Sequence, residues 1–154
     1  MIRSAISRAL RPANKGAHVA PGQSLSPQDA STTVDLRKYT SVSAACSING
    51  SNGMLYANAG VLNASYLFKA PTSKSYSVSI YGSDSQAGTT GTIYIDGISG
   101  GTFTFPNGGS AAVGGSVASA AVAVPITISA GVHTLRISYN SPGTKPGLKQ
   151  AVFA

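Results

Sequence analysis

From Thr33 to the C-terminus, apolar and polar residues alternate in short runs, the period of half-buried β-strands. In residues 33–39, Val34 and Leu36 share one face, while Asp35 and Arg37 share the other. Candidate strands follow at 42–48, 54–57 and 61–69, separated by the turn-forming run Asn49-Gly50-Ser51-Asn52-Gly53. After a turn at 71–73 the spacing becomes regular. Residues 75–81 place Tyr76, Val78 and Ile80 opposite Ser75, Ser77 and Ser79, and 90–96 place Ile93 and Ile95 opposite Thr92 and Tyr94. Asp96-Gly97 is a hairpin signal leading into 102–105, where Phe103 and Phe105 share a face. Further strands are expected at 117–124, 126–129, 133–139 and 148–153. Clustered glycines at 108–109 and 114–115 mark a long loop. Short strands at this spacing, without helical periodicity, predict an all-β fold: an antiparallel β-sandwich (jelly roll) over residues 32–154.

Residues 1–31 read differently. A short helix is expected around Arg3 to Leu10, ended at Arg11 because Pro12 disfavours helix in the residue before it. Beyond it comes a Pro-, Gly- and Ser-containing run with no periodicity and too little apolar surface to order itself. This segment is expected to be an extended N-terminal arm. Its acid-free first part also resembles a mitochondrial presequence, but the expectation here is that the arm is retained.

Composition sharpens the all-β reading. The chain has no glutamate, only four aspartates, and few charged residues overall. It is rich instead in the Thr, Val, Ile, Tyr, Gly and Ser that favour strands and turns. Arg3, Arg8, Arg11 and Lys15 carry +4 of the chain's net +7 within the first 28 residues. Such a basic arm on a nearly neutral body implies a partner of opposite charge. Cys46 is the single cysteine, so an intrachain disulfide is excluded, and it is expected to be a small buried residue. No apolar run approaches the roughly 20 residues needed to span a bilayer as a helix.

The strand around Tyr76 to Gly82, the hairpin Thr92-Ile93-Tyr94-Ile95-Asp96-Gly97, the stretch from Ile126 through Gly131-Val132-His133-Thr134-Leu135-Arg136 to Ile137, and the closing Leu148 to Phe153 carry a resemblance. Together they resemble the galactose-binding-like carbohydrate-binding modules, families 6 and 35 especially, over about residues 60 to 154. The resemblance implies a non-catalytic jelly roll. It also implies sugar recognition by exposed aromatic rings and, in many members, a calcium ion held by glutamate and aspartate. This chain has no tryptophan and no glutamate, and its closing stretch is Leu148-Lys149-Gln150-Ala151-Val152-Phe153. Sugar contact therefore falls to tyrosine, with Tyr94, Tyr81 and Tyr139 as candidates. Tyr94 leads because inward Ile93 and Ile95 leave it facing out.

Catalysis is not expected. Asp96 is accounted for by its hairpin and Asp84 by the loop Gly82-Ser83-Asp84-Ser85, which leaves no pair of free carboxylates. His18 and His133 are isolated, so neither a metal site nor any cofactor is expected. The leading functional expectation is a structural protein of a larger assembly, such as a bacteriophage capsid decoration or cement protein made in the host cytoplasm. In it Ile2, Ile6 and Leu10 would anchor the arm, and Arg3, Arg8, Arg11 and Lys15 would supply charged contacts. Its partners would be other subunits, the major capsid protein or copies of itself; surface glycans are a further candidate, nucleic acid is possible but not favoured, and no membrane partner is expected. The alternative is an extracellular carbohydrate-binding module reading a polysaccharide through surface tyrosines.

Overall fold

A computed structural model describes residues 26–29, 33–43, 46–48, 53–57, 61–84, 90–105, 117–140 and 146–154. Two sheets form a sandwich. The first runs β1 (Gln28–Asp29), β6 (Val61–Ala70), β13 (Gly131–Asn140), β9 (Thr90–Ile95) and β10 (Ile98–Thr104), and β3 (Ser41–Val42) also pairs with β6. The second runs β11 (Ala118–Ala121), β8 (Val78–Ser83), β14 (Gly147–Phe153), β5 (Leu55–Ala57) and β4 (Cys46–Ile48), with β2 (Thr33–Asp35) also on β14. A ribbon of β7 (Lys74–Tyr76) and β12 (Ile126–Ile128) lies outside both sheets. All pairings are antiparallel except β1 with β6.

The alternation seen in the sequence places the core. Leu62, Ala64, Tyr66 and Phe68 point inward from β6, as do Leu135, Ile137 and Tyr139 from β13 and Ile93 and Ile95 from β9. Val78, Ile80, Leu148, Ala151 and Phe153 face them from the second sheet. Phe68 and Phe153 stack across the sandwich with ring centroids 5.1 Å apart, and Tyr76 meets Phe153 edge-on at 6.0 Å. Leu148 and Ala151 both face inward at an odd spacing because the register with β8 shifts between Leu148 and Gln150. The extra residue of that bulge turns the following side chains over.

Several predicted strands are shorter or broken, each for a local reason. The expected 33–39 strand stops at Asp35, whose Oδ1 accepts the Arg37 N–H at 3.0 Å and turns the chain. Residues 36–40 then cross between sheets, so that the Thr40 N–H reaches the Ser65 carbonyl at 2.7 Å. The expected 42–48 strand is likewise two pieces, β3 in one sheet and β4 in the other. The expected 75–81 strand divides at Ser77, which exchanges two backbone hydrogen bonds with Ala154 where the chain leaves the ribbon for the second sheet.

Gln28 and Asp29, near the end of the segment assigned to the arm, pair with Phe68 and Lys69 of this same chain. The Gln28 side chain clasps the backbone of Asp35, accepting its N–H at 2.8 Å and donating to its carbonyl at 3.0 Å. The arm residues Ile2, Arg3, Ile6, Arg8, Leu10, Arg11 and Lys15 lie outside the described residues.

Candidate functional site

The three candidate tyrosines do not converge. Tyr139 is fully buried and donates its hydroxyl to the Asp84 carboxylate at 2.6 Å, which corrects the expectation that it contacts a ligand at the surface. Its strand alternates as expected, but Tyr139 falls in phase with inward Leu135 and Ile137. Tyr81 is half-buried on the outer face of the second sheet, between Ser119 of β11 and Gln150 of β14. Tyr94 is half-buried on the outer face of the first sheet, opposite the inward Ile93 and Ile95.

Tyr94 has a partner that sequence reasoning passed over. β9 and β13 pair with Tyr94 directly opposite Arg136, and the guanidinium carbon stands 3.8 Å from the Tyr94 ring centroid. A cation held over an aromatic face gains about 0.5–1 kcal/mol where water still reaches it. Among the described residues no carboxylate lies within ion-pairing distance of Arg136. Its neighbours on that face include hydroxyls, an amide and, diagonally across on β6, Leu67. Ser65 of β6 lies opposite Arg136, and Ser138 lies next along β13, between Thr92 and Asn63. The result is a platform of one aromatic ring, one guanidinium whose N–H edges meet no acceptor among the described residues, and a surround rich in hydroxyls.

The described acids are otherwise engaged. Burial pushes the Asp35 carboxyl up, but hydrogen bonds and charge from Arg37, with a contribution from Lys38, outweigh it and hold the group below its ordinary value. Arg37 Nε reaches Asp35 Oδ1 at 2.7 Å and Nη2 reaches Oδ2 at 2.8 Å. Asp84, directly after the end of β8, is not an exposed turn carboxylate but is sealed from solvent against the Tyr139 hydroxyl. Asp96 occupies the hairpin turn with φ 51°, followed by Gly97 at φ 83°, the backbone that Asp-Gly pairs supply cheaply. Its Oδ2 accepts from His133 Nδ1 at 2.7 Å and its Oδ1 accepts the Thr134 N–H at 2.8 Å. The His133 bond, then the Thr134 bond, hold the Asp96 carboxyl below its ordinary value. The other ring nitrogen of His133 lies 2.9 Å from the Ser129 carbonyl oxygen, which sets the turn before β13 beside the β9–β10 turn.

Cys46 is half-buried, with its sulfur 3.4 Å from the Ser43 hydroxyl, and burial pushes its thiol up. The Tyr66 hydroxyl is buried without a hydrogen-bond partner among the described residues, and burial raises it well above the usual phenol value.

No family model matches the sequence, and no characterised protein matches it at sequence level. Solved structures do match. A family 36 carbohydrate-binding module in complex with calcium and xylotriose superposes with a TM-score of 0.63 at 17% identity, covering 80% of this chain and 99% of that one. A family 6 module from Clostridium cellulolyticum in complex with xylose gives 0.62 at 15% identity, covering 82% and 99%. A family 35 module in complex with a glucuronic-acid-containing disaccharide gives 0.59 at 16% identity, covering 79% and 91%. The chain thus has the galactose-binding-like β-sandwich fold of these modules. Among the described residues no group of three His, Cys, Asp or Glu side chains could hold a metal ion.

Proposed function

We propose that this chain is a non-catalytic carbohydrate-binding module whose first-sheet face, centred on Tyr94 and Arg136, engages acidic units of a polysaccharide. The observation that carries the reading is the Arg136 guanidinium laid over the Tyr94 ring with no carboxylate partner among the described residues. A planar guanidinium presents paired N–H groups that match a carboxylate bidentately. Resting on an aromatic ring fixes its plane before the ligand arrives, which lowers the ordering cost of binding. A neutral sugar would compete with the guanidinium for the ring, whereas a uronate gains from both. The surrounding Ser65, Thr92 and Ser138 hydroxyls and the Asn63 amide offer partners to sugar hydroxyls.

The fold shared with modules that hold xylose, xylotriose and a glucuronic-acid-containing disaccharide supports this reading. So does the commitment of Asp35, Asp84 and Asp96 to other groups, because hydrolysis of a glycosidic bond calls for two carboxyls facing one cleft. The assembly reading rests on arm residues outside the described part of the chain, and none of these structural relatives speaks for it. Affinity electrophoresis in gels containing polygalacturonate or neutral xylan tests the proposal. Retardation by the acidic polymer is expected and should be lost in Arg136→Ala, whereas equal retardation of wild type and Arg136→Ala by that polymer would sink the acidic face.

A further inference from the structure

Between the β9–β10 turn and β12 lies a cleft of about 170 Å³, open to solvent. Its apolar side is formed by Ile95, Ile126 and Ile128, with Ile98 standing 76% exposed at the rim. Asp96, whose side chain is 49% exposed, supplies the charged side, and Ser99, Thr127 and Ser129 line it with hydroxyls. Tyr94 lies on β9 only two residues before Asp96 in the turn that follows, about 7 Å along the chain, but on the outer face of the sheet.

We infer that this cleft is a second carbohydrate site, which takes a single neutral pyranose unit. Size sets the first limit. The volume falls below the roughly 300–1,000 Å³ of pockets that enclose drug-sized ligands, so one ring fits and a longer stretch does not. Surface chemistry sets the second. A pyranose has an apolar C–H face and a hydroxyl edge, matching an isoleucine shelf beside a carboxylate.

The carboxylate is already aimed. The Thr134 N–H fixes Asp96 Oδ1 and the His133 ring fixes Oδ2, and each oxygen keeps a further acceptor site. Two vicinal hydroxyls can donate to that pair. Charge sets the third limit: Asp96 is the acid of the lining and no lysine or arginine stands among the lining residues, so an acidic unit would meet carboxylate repulsion there. The two sites thus differ in chemistry, acidic at Tyr94 and Arg136, neutral here. This second site rests on the reading of the chain as a glycan binder.

Titrating the ¹⁵N-labelled full chain separately with D-xylose and with D-glucuronate, followed by amide shifts, tests it. Xylose is expected to move Ile98, Ser99, Thr127 and Ser129, and glucuronate to move Tyr94 and Arg136. Ile98→Arg places a long cationic chain across the exposed shelf without touching the core. It should weaken the xylose response about tenfold or more while the glucuronate response persists. Xylose shifts absent from the cleft, or unchanged in Ile98→Arg, would overturn the second site and leave the acidic site standing. Xylose shifts in the cleft with no glucuronate response at Tyr94 would support it and count against the acidic face.

Discussion

Tyr139 and Asp84 meet inside the sandwich, phenol to carboxylate at 2.6 Å, both sealed from solvent although 55 positions apart in the chain. Each stands at the end of its strand, Tyr139 in β13 and Asp84 just after β8, so the bond links the first sheet to the second. Around it pack Phe103 and Phe105, with ring centroids 6.0 and 6.3 Å from that of Tyr139.

Tyr139→Phe keeps the ring and removes the donor. Leaving a buried carboxylate short of one hydrogen bond costs about 1–3 kcal/mol, and the loss should appear as a lower denaturation midpoint with an unchanged slope. Wild-type stability in this variant would mean that Asp84's other contacts satisfy it fully.

How much of this was readable in advance divides by range. The alternation of Tyr76, Val78 and Ile80, and of Ile93 and Ile95, marked faces that are buried, because period two is a local property of a strand. The Asp96-Gly97 hairpin was equally local. What lies on one face across strands was not readable. Arg136 becomes a partner of Tyr94 only through the pairing of β13 with β9, and no pattern within either strand carries that register. Tyr139 and Tyr94 both sit on well-alternating strands, and only phase relative to the core separates a buried ring from a displayed one. Asp84 was read as a turn residue because Gly, Ser and Asp cluster there, yet Gly82 and Ser83 extend β8 and bring the carboxylate inside.

The proposed ligand face predicts a specific pattern of losses. Arg136→Ala and Tyr94→Ala should each weaken binding to polygalacturonate about tenfold or more while the fold survives, since both side chains lie on an outer face. Arg136→Lys should not restore it, because an ammonium can neither lie flat on the ring nor offer a bidentate fork. Raising salt should weaken wild-type binding, as expected for a charge contact still reached by water. Full binding in Arg136→Lys would shift the weight from geometry to charge alone.

Close packing between the sheets gives a prediction independent of function. A Cβ on Gly82 would strike the backbone carbonyl oxygen of Gly147, the adjacent residue of β14, as well as the Phe105 ring. The atoms nearest a Cβ on Gly91 belong to the rings of Phe103 and Tyr139. Rings can tilt, whereas a paired strand cannot move without losing its ladder. Both substitutions to alanine should destabilise by about 1–3 kcal/mol, with Gly82→Ala the more costly. Equal midpoints for the two variants in urea would show that the β8–β14 pairing yields as easily as a side chain.

Asp96 gives the chain an acid sensitivity of definite sign. The His133 and Thr134 hydrogen bonds hold its carboxyl below the ordinary value of 3.8 in the folded state, and unfolding returns it to that value. The folded protein therefore binds this proton less readily than the unfolded one. Its contribution to stability is complete above 3.8 and is lost as pH falls through the lower folded value. Asp35, held down by Arg37, acts in the same direction, so the two reinforce each other on the acid side. Thermal melts from neutral pH down to about pH 2 should show a falling midpoint, and Asp96→Asn should begin lower and fall less steeply. Asparagine accepts the αL backbone of the turn and can still receive the Thr134 N–H, so the fold should persist and the changed slope would report the lost carboxylate. An acid limb as steep in Asp96→Asn as in wild type would mean that the hairpin carboxylate is no more stabilised folded than unfolded. The carboxylate proposed to grip a sugar would then lack the fixed orientation on which the cleft depends.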